Sequence, residues 1–274
     1  MPAGIDLHSH SKASDGQFQA AEVAARAAAA GLSCWALTDH DTVAGLAAGA
    51  EAAARLGLRF VPGIELSAFL ERREIHLLGH FVDPVHRTLT AFEDFLAAER
   101  RTRMRAIVVK LAALGVTVTE ADIEGHSGGK TIGRPHVAQA IVAAGGATSV
   151  KEAFNRFLGE GQPAYVPRYR LEAADAVKLV RGAGGTVTVA HPGVSKLEVG
   201  ELRRLAEAGV VGLEVIHPDH NPSVRDKYQR AADQLGLVAT AGSDYHGPDV
   251  SPDRHLGMVS MSEAALEALE ARRP

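Results

Sequence analysis

Short apolar runs alternate along the chain with Ala-rich segments of helical periodicity that end at glycine. "GIDLH" precedes "FQAAEVAARAAAAG", "SCWALTDH" and "VAGLAAGAEAAARLG" follow, and the same alternation resumes over residues 171–246. Glycine readily adopts the left-handed conformation that ends a helix. Repeated strand–helix units are typical of an α/β fold with a parallel sheet. The pattern alone leaves a barrel and an open, doubly wound sheet as alternatives.

Residues 86–165 interrupt this alternation. "TAFEDFLAAERRTRMRAIVVKLAALG" predicts one long helix, and "TEADIEG" and "TIGRPHVAQAIVAAGG" predict shorter ones. We therefore expect a mostly helical inserted subdomain, 86–165, between the two parts of the α/β domain, 1–85 and 166–274. The insert has ten Lys/Arg against eight Asp/Glu, whereas the remainder has 19 against 25. This local excess of basic residues would suit the approach of an anionic substrate. The alternative is that the arginines only solvate one face of a helix.

Composition narrows the class of protein further. The chain has 274 residues, 46% of them apolar, and its net charge of −4 argues against bulk binding of nucleic acid or of a membrane surface. A single cysteine, Cys34, excludes an internal disulfide framework and a Cys-rich zinc site. No secretory signal and no bilayer-spanning apolar stretch is visible, so we expect a cytoplasmic protein without a membrane role. No stable protein partner is implied.

The segment "DLHSHSKASDG" (6–16) places two histidines and two aspartates within eleven residues. Ile5 and Leu7 alternate with Asp6, His8 and His10, which is the period of a strand. The three polar side chains would therefore share one face of that strand. Burial of such a polar face is unfavourable unless a partner satisfies it, and a metal ion is such a partner.

Potential metal ligands recur at or just beyond the ends of the predicted strands. Carboxyl ends of parallel strands meet at one edge of a sheet, so these side chains are expected to converge there. Imidazole and carboxylate without cysteine suit Zn, Mn or Fe, and a bridging carboxylate would let this set hold two or three divalent ions. Such sites activate water and neutralise charge at phosphorus, which predicts phosphoester hydrolysis. The nine residues are His8, His10, Asp15, His40, Glu65, His76, His191, Asp244 and His246.

Six segments of the chain resemble, in order, the successive motifs of the polymerase and histidinol phosphatase (PHP) family. The resemblance covers residues 1–84 and about 166–260, and it implies a distorted (β/α)7 TIM-like barrel with a trinuclear metal site. "TIGRPHVAQAIV" followed by "YVPR" in the insert is similar to a subgroup that includes nucleoside 3′,5′-bisphosphate phosphatases and enzymes that trim the 5′ ends of short RNAs. The six segments are "DLHSHSKASDG", "ALTDHDT", "PGIELS", "EIHLLG", "VAHPG" and "GSDYH".

The resemblance also implies which residues hold which ion. Glu65 would bridge the first ion and a second one, and Asp15, where some family members have histidine, would shift the preference toward Mn or Fe. Every ligand position is filled by a competent residue, which disfavours an inactive module. The implied sets are His8, His10, Glu65 and Asp244 for the first ion, Glu65, His76 and His191 for the second, and Asp15, His40 and His246 for the third.

Further residues are candidates for catalysis and for substrate binding. Arg134 in "GRPH" is the first candidate for a clamp on the phosphate oxygens, with His136 beside it, because guanidinium binds phosphate bidentately. A surface ion pair is the alternative for Arg134. Asp41 and Asp6 are candidates for orienting a metal ligand, and Asp41 also for contacting substrate. Additional substrate contacts are expected from Lys12, Arg168 and His217.

The predicted function is hydrolysis of phosphomonoesters of small nucleotides, with nucleoside 3′,5′-bisphosphates first, by attack of a metal-bridging hydroxide on phosphorus. The predicted partner is thus a small anionic phosphoester, with short RNA as a second candidate. The alternatives are a 5′–3′ exoribonuclease, a histidinol phosphatase, a metal-binding module without turnover, and a metal-dependent amide or lactone hydrolase. A lysine bridge would be expected in the last class where this chain has Glu65.

The glycine-rich segment "GHSGGKTIG" (125–133) invites comparison with a phosphate-binding P-loop. It lacks the GxxxxGK[ST] spacing, and no predicted strand precedes it. We interpret it as a flexible loop or linker rather than a nucleotide-binding motif.

Overall fold

A computed structural model describes residues 4–127 and 133–274, and its central feature is a sheet of seven strands arranged in chain order. The strands are β1 Gly4–Asp6, β2 Leu32–Leu37, β3 Arg59–Leu70, β4 Arg73–His80, β5 Thr186–Val189, β6 Gly212–Ile216 and β7 Val238–Ala241. β1 to β3 are parallel, as are β5 to β7, whereas β4 is antiparallel to both β3 and β5. The prediction of a parallel sheet is therefore wrong at β4. Only Glu71 and Arg72 connect β3 to β4, and so short a connection can join antiparallel strands only.

The helices form where the alanine-rich periodicity predicts them. In the first helix the buried residues Ala20, Val23, Ala24 and Ala27 make one apolar stripe. Gly31 follows that helix with a φ of 79°, a left-handed conformation that favours glycine. The helices are α1 Ala20–Ala29, α2 Leu46–Arg55, α3 Arg87–Ala113, α4 Glu120–Ser127, α5 Arg134–Ala143, α6 Val150–Ala153, α7 Ala173–Gly182, α8 Val199–Glu207, α9 Pro222–Leu235 and α10 Glu263–Glu270.

Within residues 4–127 and 133–274, no ladder of hydrogen bonds joins the two outer strands of the sheet, β1 and β7. Just beyond β1, however, the Leu7 N–H donates to the carbonyl oxygen of Ala241 in β7 at 3.1 Å, and Ser9 forms an isolated parallel bridge with Tyr245. β1 itself ends at Asp6, so the two histidines of the opening motif follow the strand rather than lie in it. The fold is a mixed α/β sheet, and these contacts are among those that link its two outer ends.

The chain divides into two compact units, residues 1–90 with 170–274, and residues 91–169. The first contains the sheet. The second is helical, and its core is formed by side chains of several helices, among them Met104, Ile107, Leu111, Ile123, Ile141, Phe157 and Leu158. The long helix predicted in the insert is confirmed as α3. The division at residues 86 and 165 stays a prediction. No helix in the described parts of the chain is long and apolar enough to cross a bilayer.

Candidate metal centre

The nine predicted ligands lie at one edge of the sheet in the first unit. We call them the ligand cluster. Most follow a strand directly, and Glu65 and His76 lie within β3 and β4. His8, His10 and Glu65 are completely buried, whereas the Asp15 side chain is about half exposed. A concentration of buried imidazoles and carboxylates requires mutual pairing or an ion. Three groups within the cluster have ligand atoms close enough to hold one: His8, His10, Glu65 and Asp244; His40, Glu65 and His76; and His10, Asp15, His40 and His246.

The first group is the tightest. His8 Nε2 and His10 Nε2 are 3.1 Å apart, and each lies 3.1 Å from Glu65 Oε2. Asp244 Oδ1 is 3.3 Å from His8 Nε2 and 3.2 Å from His10 Nε2. Ligand atoms about 2.0–2.1 Å from a tetrahedral metal are about 3.3–3.4 Å apart. The four atoms therefore fit a single small divalent ion.

Glu65 connects this group to a second set of histidines. Its Oε2 faces His8 and His10, while its Oε1 lies 2.8 Å from His76 Nδ1 and 3.2 Å from His191 Nε2. His40 Nδ1 approaches Oε2 at 3.2 Å. A carboxylate that offers different oxygens to different imidazole sets has the geometry of a bridging ligand.

The third group is looser. Asp15 Oδ1 lies 3.3 Å from His246 Nε2 and 3.8 Å from His10 Nδ1, and Asp15 Oδ2 lies 3.8 Å from His40 Nε2. His10 and His246 stack with ring centroids 4.0 Å apart. These spacings leave more room than those of the first group, and the exposed Asp15 gives this side of the cluster access to solvent.

Several imidazole nitrogens have no hydrogen-bond partner among the described residues although they are buried. His76 Nδ1 is one of them, because its 2.8 Å approach to Glu65 lacks hydrogen-bond geometry. Buried polar atoms normally form hydrogen bonds. Buried imidazole nitrogens that form none, beside carboxylates, are what residues that ligate a metal ion would show. The four in the ligand cluster are Nδ1 of His10, His40, His76 and His191.

The electrostatics of the cluster are those of a strongly coupled network. Burial alone would lower the pKa of His10, but Asp244 and Glu65 raise it to about 9. Burial would also lower the pKa of His76, but Glu65 raises it to about 10. Burial would raise the pKa of the Glu65 and Asp244 carboxyls. The surrounding histidines have the larger, opposite effect and hold both pKa values well below the usual range. Burial lowers the pKa of His40 to about 4, so this imidazole is neutral at pH 7.

Glu214 is a buried carboxylate that the sequence reasoning did not single out. Its Oε1 lies 3.0 Å from His8 Nδ1, and its Oε2 accepts the His191 N–H at 2.7 Å. A ligating histidine commonly uses its other ring nitrogen in this way, which fixes the orientation of the ring. Gly242 makes room for this contact, since a Cβ there would lie 2.3 Å from Glu214 Oε1. An acid inside the apolar run 210–216 was the available signal.

Three aspartates hold the loops that carry the ligands. Asp6 accepts the Ser243 N–H at 2.9 Å, next to the ligand candidate Asp244. Asp41, with a φ of 54°, accepts the Ser67 N–H at 3.0 Å and donates its own N–H to the Glu65 carbonyl oxygen. Asp39 accepts from the hydroxyls of two serines in the loop before Asp15, which are Ser11 at 2.7 Å and Ser14 at 2.6 Å. These hydrogen bonds of Asp6 and Asp41 are to backbone groups next to ligand candidates. A substrate role for Asp41 stays a prediction.

Arg254 and His217 approach Asp244 from outside the first group. Arg254 Nη1 pairs with Asp244 Oδ2, and its Nη2 donates to Asp219 Oδ2 at 2.6 Å. His217 is completely buried, and its Nε2 lies 3.6 Å from Asp244 Oδ2. Arg254 was missed because it lies in an irregular segment without periodicity. His217 remains a predicted substrate contact.

The predicted substrate-binding residues outside the ligand cluster have structural contacts of their own. Arg134 begins α5 and donates from Nη1 to the Leu158 carbonyl oxygen at 3.3 Å, and His136 Nδ1 accepts the Gly133 N–H at 3.0 Å. Lys12 lies exposed in the loop after β1, and Arg168 is half-buried in the helical unit. Residues 128–132 of the glycine-rich segment lie outside the described residues. The roles of these side chains toward substrate stay predictions.

A mixed α/β sheet whose edge gathers imidazoles and carboxylates around a bridging glutamate defines a metal-dependent hydrolase. A sequence profile of the PHP domain matches residues 6–156, and the chain belongs to the PHP domain family. A 3′,5′-nucleoside bisphosphate phosphatase of Chromobacterium violaceum is 36% identical over 251 residues, with 90% of this chain and 88% of the relative covered. The 5′-3′ exoribonuclease Rnm of Escherichia coli is 32% identical over 249 residues, with 89% and 85% covered.

Among solved structures, a protein of Bifidobacterium adolescentis provisionally assigned as a metal-dependent phosphoesterase aligns with a TM-score of 0.80 and 29% identity. The alignment covers 100% of this chain and 98% of that one. The predicted family and the predicted class, phosphoesterase, are thus confirmed.

Proposed function

We propose that the protein is a metal-dependent phosphatase that releases inorganic phosphate from nucleoside 3′,5′-bisphosphates. The observation that carries this proposal is the position of Glu65, which belongs to two of the three adjoining ligand groups and offers a different oxygen to His10 and to His76. The named activity of the Chromobacterium violaceum relative supports the substrate, since that relative matches almost the whole chain.

The ligand cluster would hold two or three divalent ions, with Mn, Fe or Zn as candidates. The donor set contains nitrogen and oxygen atoms only, which suits these metals, and the half-exposed Asp15 adds a hard oxygen ligand at the third group. When bound, such ions supply a water of lowered pKa and neutralise charge on the oxygens around phosphorus.

The residues of the chain prepare this centre and bind the substrate. Glu214 fixes the ring of His8, and Arg254 fixes the carboxylate of Asp244, so that the ligand atoms are held in place before substrate arrives. Arg134 would hold non-bridging phosphate oxygens through its guanidinium, with His136 beside it. Lys12, Arg168 and His217 are the further candidates for contact with the substrate.

The second candidate is a 5′–3′ exoribonuclease acting on short RNA. The 32% identity to Rnm of Escherichia coli over most of the chain favours it, and the chemistry at phosphorus would use the same ligand cluster. Histidinol phosphate hydrolysis and metal binding without turnover have no observation of this kind behind them.

We also propose that the sheet closes into a distorted barrel through the Leu7–Ala241 and Ser9–Tyr245 contacts. The helical insert would form a separate subdomain. We separately propose that the protein is located in the cytoplasm. The barrel would gather the strand ends into one rim, as a site of nine ligands requires.

The test is phosphate release by protein reconstituted with Mn, with and without chelator. The substrates are adenosine 3′,5′-bisphosphate, AMP, histidinol phosphate and a 5′-phosphorylated RNA oligomer, the last also analysed for released nucleotides. The control variant is Glu71→Gln, a substitution at an exposed position of the β3–β4 turn, which is prepared and assayed in the same way.

Chelator-sensitive release that prefers the bisphosphate is the expected result. Mononucleotides released from the oligomer, with little phosphate from the bisphosphate, would transfer the assignment to the exoribonuclease. Metal retained by a protein that cleaves none of the four substrates would overturn both.

A further inference from the structure

The loop after β5, residues 190–198, carries the ligand candidate His191 in an unfavourable backbone conformation. The φ of His191 is 25° and that of Lys196 is 53°, both in the left-handed region that residues with a Cβ rarely adopt. Such conformations persist only where the surrounding structure holds the chain in place. Contacts from other elements are therefore needed to keep the His191 ring beside Glu65, where its Nε2 lies 3.2 Å from Oε1.

One of these contacts is made by Tyr228, a residue of α9 that is only 2% exposed. Its hydroxyl lies 2.9 Å from the carbonyl oxygen of Pro192 and 3.0 Å from that of Leu197, and its hydrogen is shared between the two. Burial raises the pKa of Tyr228 to about 12, so the hydroxyl keeps its proton at neutral pH. One side chain thus ties the beginning of the loop to its end.

His220 makes a second contact, with the middle of the loop. Its Nε2 accepts the Gly193 N–H at 3.0 Å, and its Nδ1 donates to the Val215 carbonyl oxygen in β6 at 2.9 Å. Burial lowers the pKa of His220, so the ring is neutral at pH 7. A neutral imidazole accepts at one nitrogen while it donates from the other. The imidazole therefore connects the loop to the sheet.

Gly193 allows the imidazole to lie this close to the loop. A Cβ at this position would lie 2.6 Å from His220 Nε2 and 3.0 Å from Val224 Cγ1. The first distance is shorter than side chains tolerate, and glycine is the residue that permits so close an approach to the backbone. The fit between loop and ring thus depends on the identity of both residues.

The polar atoms of these two side chains are engaged with the backbone and not directed at an ion. Both nitrogens of His220 and the hydroxyl of Tyr228 have backbone partners. Glu214 accepts the His191 N–H at 2.7 Å, so the loop is also held at this backbone group. A ligand that is held in place beforehand binds its ion more tightly, because less ordering is left to occur on binding.

We propose that Tyr228 and His220 are positioning residues that hold His191 at the second ion. This ion is the one expected between Glu65, His76 and His191. The two residues act through the backbone of the loop and set the affinity for this ion. Most ligands of the first group follow β1 and β7, so the affinity for the first ion should change much less. The proposal rests on the metal centre of the proposed function and adds two residues to it that are neither ligands nor substrate contacts.

Binding is measured by equilibrium dialysis of metal-stripped, full-length protein against increasing Mn²⁺ concentrations, with bound Mn counted by mass spectrometry. The binding step that is lost in His191→Ala identifies the second ion. Tyr228→Phe keeps the ring and removes the hydroxyl, and His220→Leu removes both nitrogens. Each should raise the Mn²⁺ concentration for half-occupancy of that step about 10-fold, as for other groups that orient metal ligands. His220→Gln keeps an acceptor at the reach of Nε2 and should restore most of the affinity.

Gly193→Ala tests the same contact from the loop. Its Cβ displaces the imidazole, so its effect and that of His220→Leu should be less than additive in the double variant. Ala231→Gly is the matched control, because it weakens α9 at a buried position without removing a side-chain hydrogen bond. Far-UV circular dichroism and the Tm in chelator verify that every variant is folded.

Unchanged half-occupancy in both Tyr228→Phe and His220→Leu would overturn the proposal. An equal rise for Ala231→Gly, or an equal rise for both ions, would also overturn it, because the two residues would then support the fold rather than His191. Absence of phosphate release by the wild-type protein would overturn the proposed function instead, since Mn²⁺ binding is measured without substrate.

Discussion

The ligand cluster and a recess of the helical unit, which is lined by Arg100, Arg103 and Arg134, differ in how their charged groups are surrounded. In the ligand cluster, Glu65 is completely buried and is surrounded by imidazoles at about 3 Å. In the recess, Arg103 donates to a backbone carbonyl oxygen, and the Arg134 guanidinium lies near two aromatic rings. Buried charge must be compensated by the protein or by an ion, whereas exposed charge is compensated by water. We therefore expect substitutions in the cluster to affect metal and chemistry, and substitutions in the recess to affect only the affinity for substrate.

Removal of the bridging charge should have the largest effect. Glu65→Gln leaves the surrounding imidazoles without their shared carboxylate, so we expect loss of metal and a decrease in phosphate release of more than about 100-fold, beyond the range for residues that only orient a ligand. Metal content by mass spectrometry and phosphate release are the measurements. The exposed Glu71→Gln should change neither, and full metal content in Glu65→Gln would contradict the bridging position.

Removal of an orienting carboxylate should have a smaller effect. Glu214→Gln keeps the shape but weakens the contact with His8, so metal affinity should fall about 10- to 100-fold. Titration with a competing chelator measures this. At saturating metal, activity should largely return, and activity that stays low although metal is bound would argue for a direct role of Glu214 at the substrate.

Substitution in the recess should leave the metal in place. Arg134→Ala is expected to raise the KM for the bisphosphate by about 10-fold or more, since a hydrogen bond to a charged group contributes about 1.5–3 kcal/mol. Bound metal should be unchanged. Metal lost from this variant would mean that Arg134 has a structural role, and the comparison between the two regions would fail.

The pH dependence of stability should be the smallest effect. In the metal-free protein the pKa values of His10 and His76 are about 9 and about 10, above the ordinary value of about 6.5 in an unfolded chain. A raised pKa in the folded state stabilises fully below about pH 6.5, and this stabilisation is lost as the pH rises through 9 to 10. The Tm in chelator should therefore fall between about pH 6.5 and pH 9.5, by a few degrees.

Addition of metal should reverse this trend. Binding requires neutral imidazoles, so the stabilisation by metal grows over the same pH range. Differential scanning fluorimetry with chelator and with Mn distinguishes the two cases. A metal-free Tm that rises from neutral to alkaline pH would show that His10 and His76 are not protonated in the folded protein.

The sequence by itself determined the α/β class, the long helix α3 and the positions of most ligand candidates just after strands. Each of these follows from local spacing: apolar periodicity, glycine at helix ends, and histidine or acid where a strand stops. The family motifs are equally local, which is why they can be identified without a structure.

Only the tertiary structure decided which residues meet where the sequence carries no recognisable pattern. The antiparallel direction of β4 follows from the β3–β4 hairpin, whose short turn has no distinctive sequence. The contact of Glu214 with His8 joins residues that are 206 positions apart. Arg254 reaches Asp244 from a segment without any pattern. Packing and buried electrostatics act through space, and a one-dimensional pattern records such contacts only when they coincide with a local repeat.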